Sequence, residues 1–307
     1  MNASHISREL YDWIQKKDQY GKVHSIFKST INILSEDGRF IPIVIKSKPM
    51  SPNSIKLRED LNFMDLDISI DERVRFTKLS MEFLNLSINY SKALKWNKEL
   101  KLDLKVDTYK NYKLKLNTIK EFLAENSNKD GIYNLIGYIS EDFTLNEGVN
   151  LDNKAELFIK DRFLNFINAF ENHDIDKINL LSKKIIGYGQ GLTPSMDDFI
   201  SGLMISNIYT SYLLGLNMEN PYKINKEIIK DQENRTTRVS EEMLKQASLG
   251  EANEDIRNLM MALIGISSKE NLVNLLEKVI DYGHSSGTDI LCGIYIGSSI
   301  LDRNFYK

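Results

Sequence analysis

The run Gly187-Tyr188-Gly189-Gln190-Gly191-Leu192-Thr193-Pro194-Ser195-Met196-Asp197-Asp198-Phe199 constrains this chain more than any other stretch. Glycines at alternate positions admit positive φ and let a ligand come close to main-chain N–H groups. After Pro194 the pattern turns helical. Ser195 stands three residues before Asp198, the spacing of an N-cap and a reciprocal acidic partner, and the apolar residues Phe199, Ile200, Leu203 and Met204 follow. A glycine loop therefore feeds a helix N-terminus, where unpaired N–H groups and roughly half a positive charge favour phosphate or carboxylate.

The design recurs near the C-terminus in Gly283-His284-Ser285-Ser286-Gly287-Thr288-Asp289-Ile290-Leu291-Cys292-Gly293-Ile294-Tyr295-Ile296. Aligning Asp198 with Asp289 matches Ser195 with Ser286, Phe199-Ile200 with Ile290-Leu291 and Gly202 with Gly293. Each glycine lies one turn beyond its aspartate on the same helix face. A helical Gly costs about 1 kcal/mol against Ala, so its presence predicts close approach of another backbone. Two helices packed glycine to glycine would bring Asp198 and Asp289, and two positive helix ends, to one pocket. Ser-x-x-Asp alone is also an ordinary cap worth ~1 kcal/mol. The recurrence, the glycine-rich approach and the mutually repelling Asp197 and Asp198 point beyond capping.

On this reading the anion contacts come from Gly187, Gly189, Gly191 and Gly287 through the main chain, with hydroxyls from Thr193, Ser195, Ser285 and Ser286. Asp197, Asp198 and Asp289 are candidate ligands for Mg²⁺ bridging to a phosphate; alternatively, one carboxylate orients an amide or ammonium group. Farther along, Thr236-Thr237-Arg238-Val239-Ser240 sets a guanidinium among hydroxyls. Arg238, and less so Arg235, is a candidate for a bidentate contact to carboxylate or phosphate. The first stretch lacks the Lys that a P-loop places before its Ser/Thr, and no βαβ unit surrounds it, so no nucleotide or organic cofactor is expected.

These motifs, together with Thr236–Ser240 and the opening Gly21-Lys22-Val23-His24-Ser25-Ile26-Phe27, resemble the bacterial family that contains the AllH subunit of oxamate carbamoyltransferase. The chain has Gln190 where that family usually has Pro, and Met196 where it usually has Gly. The resemblance implies a subunit working with two other proteins in allantoin breakdown, converting oxalurate and phosphate to oxamate and carbamoyl phosphate. Asp198, His284 and Asp289 are then the candidate catalytic groups, with His284 stabilising charge or moving a proton during carbamoyl transfer. The competing reading is a non-catalytic metabolite-binding or assembly subunit. The expected partners are a small anionic metabolite and the other carbamoyltransferase subunits.

The rest of the sequence reads as an α+β protein. An N-terminal, mainly antiparallel β-domain spans 1–105, and an all-helical domain carrying the site spans 106–307. Residues 6–17 read as a leading helix, Glu36-Asp37-Gly38 as a hairpin turn, and Pro42 as an edge or initial strand position. Six or seven strands are expected by Trp96, among them Leu66–Ile70, Arg73–Leu79 and Phe83–Ile88. Asp142 to Asn150 reads as a polar loop, and a 3.6-residue period takes over from Asn153. His24 is read as a hydrogen-bonded structural residue rather than a site residue. A net charge of −3 offers no basic surface for nucleic acid. No apolar stretch reaches the ~20 residues of a membrane span. The one cysteine, Cys292, fits the core of a protein in a reducing cytoplasm.

Overall fold

The computed structural model describes residues 1–98, 105–139 and 154–305, so the expected loop at 142–150 lies outside the described residues. The chain is α+β and divides into two compact units, residues 1–100 with 252–254, and residues 101–251 with 255–307.

The first unit is a curled sheet of nine strands: β1 (Ala3–Ser7), β2 (Gln19–Ile26), β3 (Thr30–Ser35), β4 (Phe40–Val44), β5 (Ile55–Leu57), β6 (Arg73–Phe76), β7 (Ser80–Glu82), β8 (Ser87–Asn89) and β9 (Leu94–Trp96). Their order is β8-β7-β6-β2-β3-β4-β5-β1-β9, with parallel pairing only at β4–β5 and β1–β9. The sheet curls back on itself where Asn2 bridges Asn89 and the Asn89 amide donates to the Met1 carbonyl at 2.9 Å. Ile6, Val23, Ile33, Ile43, Ile55, Val74 and Ile88 fill its interior, as alternation on a half-buried sheet demands. The helix α1 (Arg8–Lys16) adds Leu10, Trp13 and Ile14 to that core.

Several strand boundaries differ from expectation. The leading helix starts at Arg8, because Ala3–Ser7 pairs with β5 and β9, partners some 50 and 90 residues away that local pattern cannot reveal. Phe83–Ile88 is not one strand: the Phe83 amide donates to the Leu86 carbonyl at 2.9 Å, and a turn separates β7 from β8. Leu66–Ile70 is a loop after a 3-10 turn at Phe63–Asp65, held by the Ile68 amide on the Leu66 carbonyl. Pro42 lies mid-strand; β5 joins β4 only at Ile43 and Val44, so Pro42 faces no second ladder. The Asp37-Gly38 hairpin forms as expected, with Gly38 at φ 86°. His24 packs edge-on against Phe40, with ring centroids 5.4 Å apart.

The second unit is helical: α2 (Tyr109–Asn126), α3 (Tyr133–Ile136), α4 (Lys154–Glu171), α5 (Ile175–Ser182), α6 (Ser195–Leu213), α7 (Glu219–Ile229), α8 (Arg238–Ser248), α9 (Glu254–Ile264), α10 (Lys269–Ile280) and α11 (Ser286–Phe305). At its centre α6 and α11 lie against each other. Every residue of α6 from Ser195 to Ser211 is buried, as is α11 from Gly287 to Ser298, which marks both as core helices rather than amphipathic ones. A Cβ on Gly202 would run into the Ile290 carbonyl, and one on Gly293 into the Phe199 carbonyl. The glycine-to-glycine packing read from the sequence is present. Cys292 is buried within α11. No helix among the described residues is long and apolar enough to cross a membrane.

Candidate functional site

The crossing of α6 and α11 sets their N-termini side by side at the floor of a cavity of about 1000 Å³. Its walls include Gly189 to Thr193, Ser195, the turn Gly283–Ser286, and Asp130 to Ile132. The glycine loop is pinched shut at its neck, where the Met196 amide donates to the Tyr188 carbonyl at 3.0 Å. Gly187, Gly189 and Gly191 all take positive φ, at 83°, 121° and 98°. The amides of Gly189 to Thr193 have no hydrogen-bond partner among the described residues, which leaves a run of main-chain donors at the cavity wall.

Four hydroxyls join the two helix ends. Thr193 Oγ1 and Ser286 Oγ are 3.2 Å apart, and Ser195 Oγ and Ser285 Oγ 3.4 Å. Asp198 and Asp289 lie directly behind them, 1% and 0% exposed. The carboxylates face crosswise: Asp198 is near Ser286 and Thr193, whereas Asp289 is near Ser195 and Ser285. Asp198 Oδ2 and Asp289 Oδ2 have no hydrogen-bond partner, and no Lys or Arg neutralises either carboxylate among the described residues. Burial therefore pushes Asp198 well above the usual carboxylate range, against the pull of Ser286, with the Asp289 charge adding to the rise. Burial raises Asp289 to about 6, opposed chiefly by the Ile132 amide, which donates to Oδ1 at 2.8 Å.

Two family models match the chain: the AllH family N-terminal domain over residues 2–97, and oxamate carbamoyltransferase subunit AllH over residues 185–298. The chain belongs to the AllH family. No curated protein and no solved structure matches it. The second AllH match begins just before the glycine loop and runs past Gly297, so it takes in both Ser-x-x-Asp stretches.

Within this AllH-family chain, Gly189, Gly191, Thr193, Ser195, His284, Ser285 and Ser286 all reach the cavity wall. His284 is at the exposed rim, its Nε2 2.7 Å from Asp130 Oδ2. Others sit elsewhere. Pro194, not Ser195, occupies the N-cap of α6, so Ser195 is the first helical residue and its hydroxyl turns to Ser285 instead of capping. Gly187 lies against the Arg235 carbonyl and Gly287 against the Val279 and Ile280 carbonyls, and neither lines the cavity. Arg238 does not line it either. Its guanidinium pairs with Glu241 at 3.1 Å and Glu242 at 3.7 Å, partners one turn along α8. The Arg235 guanidinium donates to the Lys183 carbonyl at 3.0 Å.

Asp197 is a brace. Its Oδ1 accepts the Gly187 amide at 2.7 Å, and its Oδ2 accepts the hydroxyls of Ser240 at 2.6 Å and Thr236 at 2.5 Å. Thr237, the N-cap of α8, also donates to the Leu192 carbonyl. The hydroxyl patch at 236–240 thus holds the glycine loop from behind. With Asp197 so engaged, the three aspartates do not converge: among the described residues no group of three or more His, Cys, Asp or Glu is arranged to hold a metal ion. A Mg²⁺ bridging to a phosphate here would have Asp198 and Asp289 as its carboxylate ligands, Asp197 being taken up by the loop.

The segment 128–132 was missed by sequence reasoning. The Asn128 amide donates to Thr288 Oγ1 at 3.1 Å, its side chain to the His284 carbonyl at 2.8 Å, and Ile132 to Asp289. Gly131 is required there, because a Cβ would collide with the Asp289 carboxylate. The Asp130-Gly131 pair was the available signal, legible only as a helix break.

Proposed function

We propose that this chain is the subunit of an oxamate carbamoyltransferase that holds the small-molecule site, at the paired N-termini of α6 and α11. The reaction is conversion of oxalurate and phosphate to oxamate and carbamoyl phosphate, within cytoplasmic allantoin degradation. The observation that carries this reading is the uncompensated pair Asp198 and Asp289, each fully buried with one unpartnered oxygen, directly behind four hydroxyls at a solvent cavity. Capping does not call for such an arrangement, since buried carboxylates without a cation destabilise a fold.

In this reading the free amides of Gly189 to Thr193 and the two helix ends receive the carboxylate or phosphate of the substrate. Thr193, Ser195, Ser285 and Ser286 supply hydroxyl contacts, and Asp198 and Asp289 act on the reacting atoms through them. His284, at the rim beside Asp130, stabilises charge as substrate enters. The other carbamoyltransferase subunits are the partner proteins.

Thermal melts of the isolated chain with phosphate, carbamoyl phosphate, oxamate and oxalurate test the site. Ligand at about a hundred times its dissociation constant adds ~2.7 kcal/mol, a rise of several degrees for a chain of this size. A rise with at least one of the four that disappears in Ser195→Ala/Ser286→Ala supports the reading. No rise, together with full activity of that double variant in the reconstituted enzyme, would move the site to another subunit.

A further inference from the structure

We propose that Asn128 is a positioning residue for the paired helix ends: its carboxamide holds the turn 283–286 and so places Ser285 and Ser286 at the cavity. The inference rests on the carbamoyltransferase reading for what those hydroxyls do, and on the segment 128–132 for how they are held.

Each of the two turns that bring hydroxyls to the cavity is gripped from behind on its main chain. In the glycine loop Asp197 Oδ1 takes the Gly187 amide at 2.7 Å, and the Thr237 hydroxyl donates to the Leu192 carbonyl. Thr193 and Ser195 are thereby left to face the cavity. The second turn is short, running from Gly283, at φ 56°, to Ser286, the first residue of α11. It carries the other two hydroxyls, 3.4 Å and 3.2 Å from those of Ser195 and Thr193. Its grip comes from Asn128, two residues past the end of α2. Asn128 Nδ2 donates at 2.8 Å to the His284 carbonyl, immediately ahead of Ser285.

The carboxamide is fixed at its other end too, because Asn128 Oδ1 accepts the Asp130 amide at 2.9 Å. One neighbour is a carbonyl and the other an N–H, so the side chain must give and take a hydrogen bond at once. A carboxamide does both in one plane; a carboxylate in its place would set an oxygen against the His284 carbonyl. The segment itself is anchored on α11. The Asn128 amide donates to Thr288 Oγ1 at 3.1 Å and the Ile132 amide to Asp289 Oδ1 at 2.8 Å, with Gly131 pressed against the Asp289 carboxylate between them. Asn128 is therefore a fixed point against which the turn is set. α11 is buried from Gly287 onward and stays in place without it, so release of the His284 carbonyl moves the turn and not the helix. Groups at a reacting centre tolerate little displacement, and an error of about 1 Å costs about a hundredfold in rate. The loss should appear in kcat rather than in KM, since the main-chain donors of the glycine loop are untouched.

Two measurements on Asn128→Ala test this, one without substrate. Hydrogen exchange of the full chain reads the turn through the Gly287 and Asp289 amides, bonded to the Tyr282 and Ser285 carbonyls at 2.9 Å. Exchange faster by about tenfold at 284–289, with the start of α6 unchanged, is the expected result. Kinetics of the reconstituted enzyme should then show kcat lower by about ten- to a hundredfold, with KM for phosphate and oxalurate within about threefold of the wild type. Lys129→Ala, the neighbouring exposed side chain, is the control and should change neither. If Asn128→Ala does not fold, Asn128→Asp takes its place: it keeps the acceptor for the Asp130 amide, loses the donor to His284, and should show the same exchange and kcat changes. Unchanged exchange at 284–289 overturns the grip. Faster exchange with wild-type kcat, or a rise in KM with kcat unchanged, overturns the positioning role while the proposed function stands. A wild-type complex inactive on oxalurate overturns the proposed function and the positioning role together, and the exchange measurement separates that outcome from a failure of the grip.

Discussion

Gly202 and Gly293 each press against the main chain of the other's helix, Gly202 on the Ile290 carbonyl and Gly293 on the Phe199 carbonyl, three residues before the other glycine. That reciprocity is what sets the N-termini of α6 and α11 together and makes one site from two caps. The contact is also unforgiving, because the opposing atoms are backbone and cannot rotate away. Gly293→Ala is expected to cost about 3 kcal/mol through overpacking, read by chemical denaturation, and to weaken ligand shifts as the helix ends part. An exposed control of the same chemistry, Gly215→Ala, has open space around its Cβ and only its φ of 66° to resist. It should leave ligand shifts unchanged.

The buried acid at 289 should make the protein less stable than it need be. Its folded pKa of about 6 lies above its ordinary 3.8, so the folded state holds a proton that the unfolded state has released. Stability from this group is complete below about pH 3.8 and is lost as pH rises to about 6, after which it is level. Asp289→Asn keeps an acceptor for the Ile132 amide and has nothing to ionise. The variant should gain on the wild type by up to about 3 kcal/mol at pH 7, the gain shrinking as pH falls towards 4, while carbamoyl transfer is lost. Denaturant unfolding at several pH values checks it; a variant less stable than the wild type at pH 7 would refute the argument.

The helix pair, its glycine contact and the cavity residues from Gly189 to Ser195 and His284 to Ser286 were legible because they lie in two short runs whose local chemistry is unusual. The β-domain was legible as a class, since alternation survives in β2 to β4, but β1 and β9 depend on partners distant in sequence. Reading Ser195 as a cap failed for a local reason: Pro194 at φ −56° already occupies that position and frees the serine for the opposite helix. The roles of Asp197 and Arg238 depended on which neighbours came near, namely Thr236 and Ser240 for one and Glu241 and Glu242 for the other. The segment 128–132 carries no motif, because its contribution to Asp289 is a main-chain N–H that any residue but proline supplies.

Asp197 carries a different prediction from Asp198. It is buried, burial raises its pKa from the ordinary value, and three donors offset part of that cost. Ser240→Ala removes one of them and should destabilise the fold by about 2 kcal/mol. Because the Gly187 amide hangs on the same carboxylate, the variant should also weaken phosphate or oxamate shifts without abolishing turnover. Unfolding curves and ligand melts on one preparation separate the two effects.

Arg238 is the sharpest point at which sequence and structure part, and it can be tested alone. A guanidinium beside hydroxyls reads as an anion clamp, yet here it pairs with Glu241 and Glu242 on its own helix and stays off the cavity wall. Such intrahelical pairs contribute only about 0.3–0.5 kcal/mol each. Arg238→Ala should therefore lower stability by no more than about 1 kcal/mol and leave the dissociation constants for phosphate and oxamate within about twofold of the wild type. Thr237→Val, one residue earlier, removes both the α8 cap and the hydroxyl that holds the Leu192 carbonyl, and should weaken the same ligands by about tenfold. If instead Arg238→Ala gave the large loss and Thr237→Val the small one, the guanidinium would have to swing from its glutamates into the cavity on binding.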